Sequence, residues 1–270
     1  MLTNRRSRCG PELGQTCNDQ IPEAMTMTRM FLTRLMRHSL LLAVVLSMGW
    51  LAKPSQALLL CASPLAPGAS TFPGDCTGEA TGTQIDSTSV AFAVKNAQNI
   101  TVATGTLISA VFQEAGGTLD FYYQVFNDAT STDAIHRETD TSFAGFVTAT
   151  GFRTDCGGLP CGTAGFTDGD IAPFTSNRSS GVGSTVGFDF LAGLGTEIAP
   201  GTSSNVLVIS TNATKDKIGT ANVIDGGVAT VLAFAPDTSV PPPIPEPMSL
   251  MLLGTGLLGL GLFRLKSRKA

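Results

Sequence analysis

Alternation of apolar and polar residues is the clearest pattern in the middle of the chain. Residues 119–125 place an apolar side chain at every second position, with Asp120, Tyr122 and Gln124 between them. Side chains on a β-strand point to opposite faces in turn, so this period predicts a strand that buries one face and exposes the other. Residues 90–94 and 186–190 alternate in the same way.

Short apolar runs add three more predicted strands, over residues 106–113, 206–209 and 228–234. The second of these runs is apolar throughout, which is typical of a central strand covered on both faces. Glycine-rich turns separate the runs, and residues 58–244 contain no stretch of ten or more residues with helical periodicity. The pattern predicts an all-β domain over residues 58–235, built as an antiparallel β-sandwich of jelly-roll-like or immunoglobulin-like type.

The N-terminal part has the layout of a secretory signal. An arginine-containing segment precedes an apolar run over residues 40–51, and small residues follow up to Ala57. This order predicts export through the Sec translocon and cleavage by signal peptidase between Ala57 and Leu58. Residues 1–57 are then an upstream extension plus the signal peptide.

A lipoprotein anchored through Cys61 is the alternative for this end of the chain. Lipoprotein signals have a small residue directly before the modified cysteine, whereas Leu60 stands there in this sequence. The bulky leucine favours cleavage after Ala57.

The C-terminal part predicts a membrane segment. Residues 236–247 hold six prolines and form a stiff, extended spacer. The sixteen residues from Met248 to Phe263 carry no charge and span roughly 24 Å as a helix, short for a bilayer core of about 30 Å. Residues 248–270 are therefore predicted to be one transmembrane helix with a basic tail, which stays cytoplasmic by the positive-inside rule. A permanent membrane anchor is the plain alternative.

Three features of this tail occur in a fixed order: the tripeptide Pro245, Glu246 and Pro247, a glycine-rich apolar span, and an Arg/Lys end. Together they resemble the PEP-CTERM sorting domain of Gram-negative bacteria. The resemblance implies processing near the tripeptide by an exosortase, a membrane-embedded cysteine transpeptidase. It also implies a host that makes extracellular polysaccharide, and a protein that is held transiently in the inner membrane before it reaches the cell surface or the medium.

Charge restricts the partners of the exported part. Residues 58–244 hold 17 acidic and 6 basic residues, a net charge of −11. So acidic a surface repels nucleic acid and anionic membranes. We expect no nucleic-acid partner.

Four cysteines remain after the predicted signal cleavage: Cys61, Cys76, Cys156 and Cys161. An even number in an exported chain favours disulfides, and three pairings are possible. Pairing between sequence neighbours is the favoured arrangement, Cys61 with Cys76 and Cys156 with Cys161. A zinc site is disfavoured because His136 is the one histidine left to join a ligand set.

Candidate catalytic residues are sparse. His136 lies in a polar stretch that favours a surface loop, and the sequence has no Gly-x-Ser-x-Gly nucleophile motif. Acidic residues that a glycosidase pair would draw on include Asp120 and Asp189. Asp168 and Asp170 flank a glycine as in a fragment of a calcium loop, but the full spacing is absent. We expect no enzyme and no cofactor.

Two function classes remain. The first is a non-enzymatic surface or matrix protein, sorted by an exosortase and associated with extracellular polysaccharide or biofilm. The alternative is a carbohydrate-binding or polysaccharide-hydrolysing domain. The sequence shows no aromatic cluster for stacking on sugars, which favours the first class.

Overall fold

The computed structural model describes residues 59–158, 161–190 and 195–240. In these segments the chain forms β-strands and no α-helix, so the all-β prediction is confirmed. The strands are β1 (Ser63–Pro64), β2 (Ser70–Thr71), β3 (Gly74–Asp75), β4 (Thr83–Lys95), β5 (Thr101–Gln113), β6 (Leu119–Asn127), β7 (Arg137–Asp140), β8 (Thr148–Arg153), β9 (Thr175–Arg178), β10 (Val186–Asp189), β11 (Val206–Thr211), β12 (Asp216–Ile224) and β13 (Val228–Pro236).

The strands of the described segments form two sheets. The seven-stranded sheet has the order β1-β8-β11-β6-β5-β4, with β3 also paired to β8. The six-stranded sheet has the order β13-β12-β7-β10-β9-β2. Strand pairs are antiparallel, as predicted, except that the two-residue β3 runs parallel to β8.

The main core contains side chains from both sheets. The apolar residues of β6 pack there with Val186 and Phe188 of β10, as the alternating pattern predicted. The hydroxyl of Tyr123 on β6 donates a hydrogen bond of 2.6 Å to the carbonyl of Phe234 on β13, which joins one sheet to the other through the core. Burial of this apolar surface is the main force that holds the sheets together.

Strand β11 lies between β8 and β6, and each of its residues is buried. The prediction of a central strand at residues 206–209 is therefore confirmed. Both faces of β11 are covered by other parts of the domain, which is why its residues 206–209 are all apolar.

The prediction that β6 exposes one face is wrong. Asp120, Tyr122 and Gln124 are all buried, because chain segments outside the sheet cover this face. Tyr122 packs in a second cluster with Phe112 and Phe166, next to the Cys156–Cys161 pair. The cover comes from residues distant in sequence, so the local alternation contains no sign of it.

Candidate functional site

The residues predicted for export and sorting lie outside the described part of the structure. They are the cleavage residues Ala57 and Leu58 and the sorting residues Pro245, Glu246 and Pro247. The predicted helix within residues 248–270 lies outside it as well. None of the described segments forms a helix long and apolar enough to cross a membrane.

Cys61 and Cys76 form a disulfide, with Cα atoms 5.1 Å apart. Cys76 is fully buried beside Ala62 and Ala149, and its amide donates to the carbonyl of Phe152 on β8. The bond thus holds the N-terminal segment of the domain against the seven-stranded sheet. The predicted pairing is confirmed.

Cys156 and Cys161 form the second disulfide, also as predicted, with Cα atoms 5.0 Å apart. Their sulfur atoms and the carboxylate of Asp155 lie within 4.8 Å of one another, a spacing that would suit a metal ion. However, the sulfur atoms are bonded to each other, and Asp155 pairs with the Arg153 guanidinium at 2.8 Å. This group is therefore a structural cross-link with an ion pair beside it.

Asp168 and Asp170 direct their carboxylates at backbone amides. Asp168 Oδ1 accepts from the amide of Gly157 at 2.5 Å, inside the loop closed by the second disulfide. Asp170 Oδ2 accepts from the amide of Ser203 at 3.0 Å. Gly169 between them has a φ of +74°, and a Cβ there would lie 2.3 Å from the carbonyl of Ser204. The Asp-Gly-Asp sequence thus holds its loop against the disulfide loop at Gly157 and against Ser203, shortly before β11.

His136 lies directly before β7 and is partly exposed, with 38% of its side-chain surface accessible. Its Nδ1 lies 3.3 Å from Oδ1 of Asp225, and its Nε2 lies 3.4 Å from Oε2 of Glu197. The ring therefore bridges two carboxylates, one from the β12–β13 turn and one from a neighbouring loop. These two contacts hold the His136 side chain in place, unlike that of a histidine in an unattached surface loop.

The structure does not bring Asp120 and Asp189 together as a catalytic pair. Asp120 is on the covered outer side of the seven-stranded sheet, whereas Asp189 lies on the outer face of the six-stranded sheet, so the core separates them. Burial, together with the nearby carboxylate of Glu114, raises the pKa of Asp120 to about 8. Asp120 is thus largely protonated at neutral pH.

The outer face of the six-stranded sheet carries a row of polar residues in register, here called the polar row. The row crosses all six strands and contains one position from each. In order across the sheet these positions are Thr230, Asn222, Thr139, Gly187, Asn177 and Ser70. The Thr230 hydroxyl donates to Asn222 Oδ1 at 2.7 Å, and Asn222 Nδ2 donates to Thr139 Oγ1 at 3.2 Å.

A ring of three planar side chains lies at the centre of this face. Arg137 donates to Asp189 and to Asn177 Oδ1, the latter at 2.6 Å, and Asn177 Nδ2 donates to Asp189. Gly187 lies beneath them: a Cβ at this position would be 2.4 Å from Arg137 Nη2. The glycine therefore leaves the space that the guanidinium occupies. We call Arg137, Asp189 and Asn177 the polar ring.

Two exposed phenylalanines meet at the β2–β9 end of the same sheet. Phe72 follows β2 and Phe174 precedes β9, with 69% and 43% of their surfaces accessible. Their rings form an edge-to-face pair with centroids 5.8 Å apart. Thr175, next to Phe174, donates to Asp189 at 3.3 Å, which connects the aromatic pair to the polar ring.

Of these outer-face residues, sequence reasoning named Asp189 alone, as a possible member of a glycosidase pair. The strands Arg137–Asp140 and Thr175–Arg178 are polar at every position, so the sequence contains no signal for which of their residues face outward. Their assembly depends on the register of strands that are not neighbours in sequence. The contact between Phe72 and Phe174 spans about a hundred residues and has no local pattern.

Comparison with known proteins bears on the tail of the chain. No curated protein and no solved structure matches the sequence. Residues 243–269 match a family model described as the PEP-CTERM protein-sorting motif, a range that includes Pro245, Glu246 and Pro247. The motif implies export and exosortase-dependent sorting from the membrane. The chain therefore carries a PEP-CTERM protein-sorting motif, which confirms the resemblance found in its tail.

Proposed function

We propose that this chain is a non-enzymatic protein of the cell surface or extracellular matrix, which an exosortase detaches from its membrane segment and which associates with extracellular polysaccharide. The observation that carries the proposal is the sorting motif at residues 243–269. The β-domain is the part that reaches the cell surface or matrix, and the tail directs its sorting.

Physical properties of the tail support this route. The sequence predicts an extended backbone at Glu246, between Pro245 and Pro247, and a transpeptidase cleft accepts this shape. The apolar span of residues 248–263 is short and contains four glycines, which weaken a helix as a permanent anchor. The basic tail resists translocation and keeps the motif at the outer side of the membrane.

The domain itself suits an oxidising, extracellular location. Two disulfides close loops that pack against the seven-stranded sheet, and such bonds persist outside the cytoplasm. The side chains of Asp168, Asp170 and His136 are engaged with protein groups. These contacts support a structural or binding role for the domain.

Replacement of the sorting residues tests the proposal. The variant Pro245→Ala/Glu246→Ala/Pro247→Ala should still be exported, but the full-length protein should accumulate in the inner membrane. The matched control is Pro241→Ala/Pro242→Ala, which alters the same spacer upstream of the motif and should be processed normally. Membrane fractionation, followed by detection with an antibody against the β-domain, measures how much of each variant remains in the inner membrane. Normal release of the triple variant would contradict the proposal.

A further inference from the structure

We propose that the outer face of the six-stranded sheet binds an uncharged polysaccharide chain. This inference rests on the proposed function, since it names the surface through which the exported domain contacts polysaccharide. Binding of such a chain requires an extended site, side chains with unused hydrogen-bond donors and acceptors, apolar contacts for the sugar rings and a compatible charge.

The polar row supplies the extended site. Neighbouring strands lie about 4.8 Å apart, so the five steps from Thr230 to Ser70 span roughly 24 Å. Thr230 and Ser70 at its two ends are exposed, and Asn222 and Asn177 are partly exposed. The two central positions, Thr139 and Gly187, are buried, and the guanidinium of Arg137 lies over Gly187. A linear chain of sugars laid across the strands would meet the row's side chains toward both ends and Arg137 between them.

The side chains in the polar row, and Arg137 beside it, suit hydroxyl recognition. A threonine hydroxyl both donates and accepts, an asparagine amide has two donors and an acceptor oxygen, and a guanidinium has five donors. Arg137 donates to Asp189 and Asn177 through two of its nitrogens, and Thr230 donates once and retains its acceptor lone pairs. Mutual bonds in the polar ring fix these groups in place before a ligand arrives, which lowers the entropic cost of binding.

Apolar side chains lie at both ends of the face. Phe72 and Phe174 form the exposed pair at one end. Val228 and Leu232 on β13 flank Thr230 at the other end, and both are more than half exposed. Exposed apolar groups beside polar ones mark interaction surfaces, and the C–H faces of sugar rings need such contacts next to their hydroxyls.

Charge selects the kind of polysaccharide. The polar row contains no ionisable side chain, and the row beside it holds Arg137 and Asp189, which neutralise each other. The domain as a whole carries a net charge of −11 over residues 58–244 and repels polyanions. An uncharged glycan matches this face, whereas an acidic one is disfavoured.

Affinity electrophoresis in native gels tests the inference. The full chain is taken in mild detergent from a strain without the exosortase, so that binding is measured independently of sorting. The gels contain dextran, hydroxyethylcellulose, galactomannan or, as the acidic comparison, alginate. At least one neutral polymer should retard the protein, and alginate should not. Retardation by none of the neutral polymers, or equal retardation by alginate, overturns the inference.

Variants locate the binding surface. Phe72→Ala/Phe174→Ala and Asn177→Ala should each weaken retardation about tenfold, as expected for anchors of a binding site. Thr230→Val keeps the shape of the side chain and should weaken it less. The matched control is Ile100→Ala, which removes an exposed apolar side chain from the β4–β5 turn of the other sheet and should bind normally. Circular dichroism verifies that each variant is folded.

The competing occupant of this face is a second copy of the chain. Sedimentation of the same preparations should show no dependence of self-association on Phe72, Phe174 or Asn177. A dimer that these substitutions dissociate, with retardation unchanged, overturns the inference. If the protein binds no neutral polysaccharide but its sorting motif is processed normally, the sorting proposal still holds. The two proposals can therefore fail separately.

Discussion

Asp140 and Glu138 place their carboxyl groups side by side in the core between the two sheets. Both residues are buried on β7, and no N–H or O–H donor of the other described residues reaches their four oxygens. Burial raises the pKa of Glu138 to about 8, and burial together with the neighbouring Glu138 raises that of Asp140 well above its usual range. Each raised pKa favours the protonated, uncharged form of its carboxyl group.

This pair predicts a loss of stability at alkaline pH. In the unfolded chain both groups release their protons near pH 4, roughly their ordinary pKa. The folded state thus holds more protons from about pH 4 to about pH 8, and the free energy of unfolding falls as pH rises through this window, by on the order of 1 kcal/mol per pH unit for each of the two groups. Thermal unfolding at a series of pH values measures the slope.

The double variant Glu138→Gln/Asp140→Asn is the control for this prediction. Its amides keep the shape of the carboxyl groups but do not titrate, so the slope should become shallower while part of it remains through Asp120. An unchanged slope would assign the pH dependence to other groups.

Arg178 should be the most costly basic residue to remove. Its buried guanidinium donates to five acceptors at one end of the sandwich. Four are loop carbonyls, those of Leu65, Phe143, Phe146 and Gly183, and the fifth is the hydroxyl of Thr148 at the start of β8. Arg178→Met removes these five hydrogen bonds and should lower the free energy of unfolding by about 3 kcal/mol. Urea unfolding measures the change. The exposed Lys95→Met should have little effect, and equal losses for both would contradict the prediction.

Local patterns predicted the apolar strands but missed several polar ones. The alternating runs in β4, β6 and β10 and the apolar runs in β5, β11 and β13 are strands in the structure. Strands such as β7 (Arg137–Asp140) and β9 (Thr175–Arg178) contain mostly polar residues, so no hydrophobic period marks them. Their strand state depends on pairing with β10, which lies between them.

Burial of charged groups was equally invisible in the sequence. Glu138 was part of a stretch interpreted as a polar surface loop, yet it lies in the main core because β7 is central in its sheet. In contrast, the disulfide pairing was predictable because each cysteine has a close neighbour and a short loop brings the two together.

The two disulfides should contribute unequally to stability. Closing a longer loop restricts the unfolded chain more, and the separations are 15 residues for Cys61–Cys76 and 5 for Cys156–Cys161. Replacing either pair by serine should cost about 2–4 kcal/mol, with the larger loss for the first pair. Chemical unfolding of the two variants, after peptide mapping of the bonds, checks the order. A larger loss for Cys156–Cys161 would contradict it.

Signal cleavage should leave Leu58 as the first residue of the exported protein. Cleavage after Ala57 also removes Trp50, the one tryptophan of the chain, so the fluorescence should be that of tyrosine. Cys61 is bonded to Cys76 and so has no free thiol for a lipid. N-terminal peptide mass spectrometry checks the site, and a lipid-modified Cys61 would contradict it.

The intact mass of the protein in strains with and without the exosortase tests the sorting account most directly. With the enzyme, the mass should correspond to a chain that ends near Pro245, Glu246 and Pro247 and lacks residues 248–270. Without it, the mass should include the whole apolar span and basic tail, and the protein should remain in the inner membrane. Retention of residues 248–270 in both strains would show that the tail is a permanent anchor and would contradict the account.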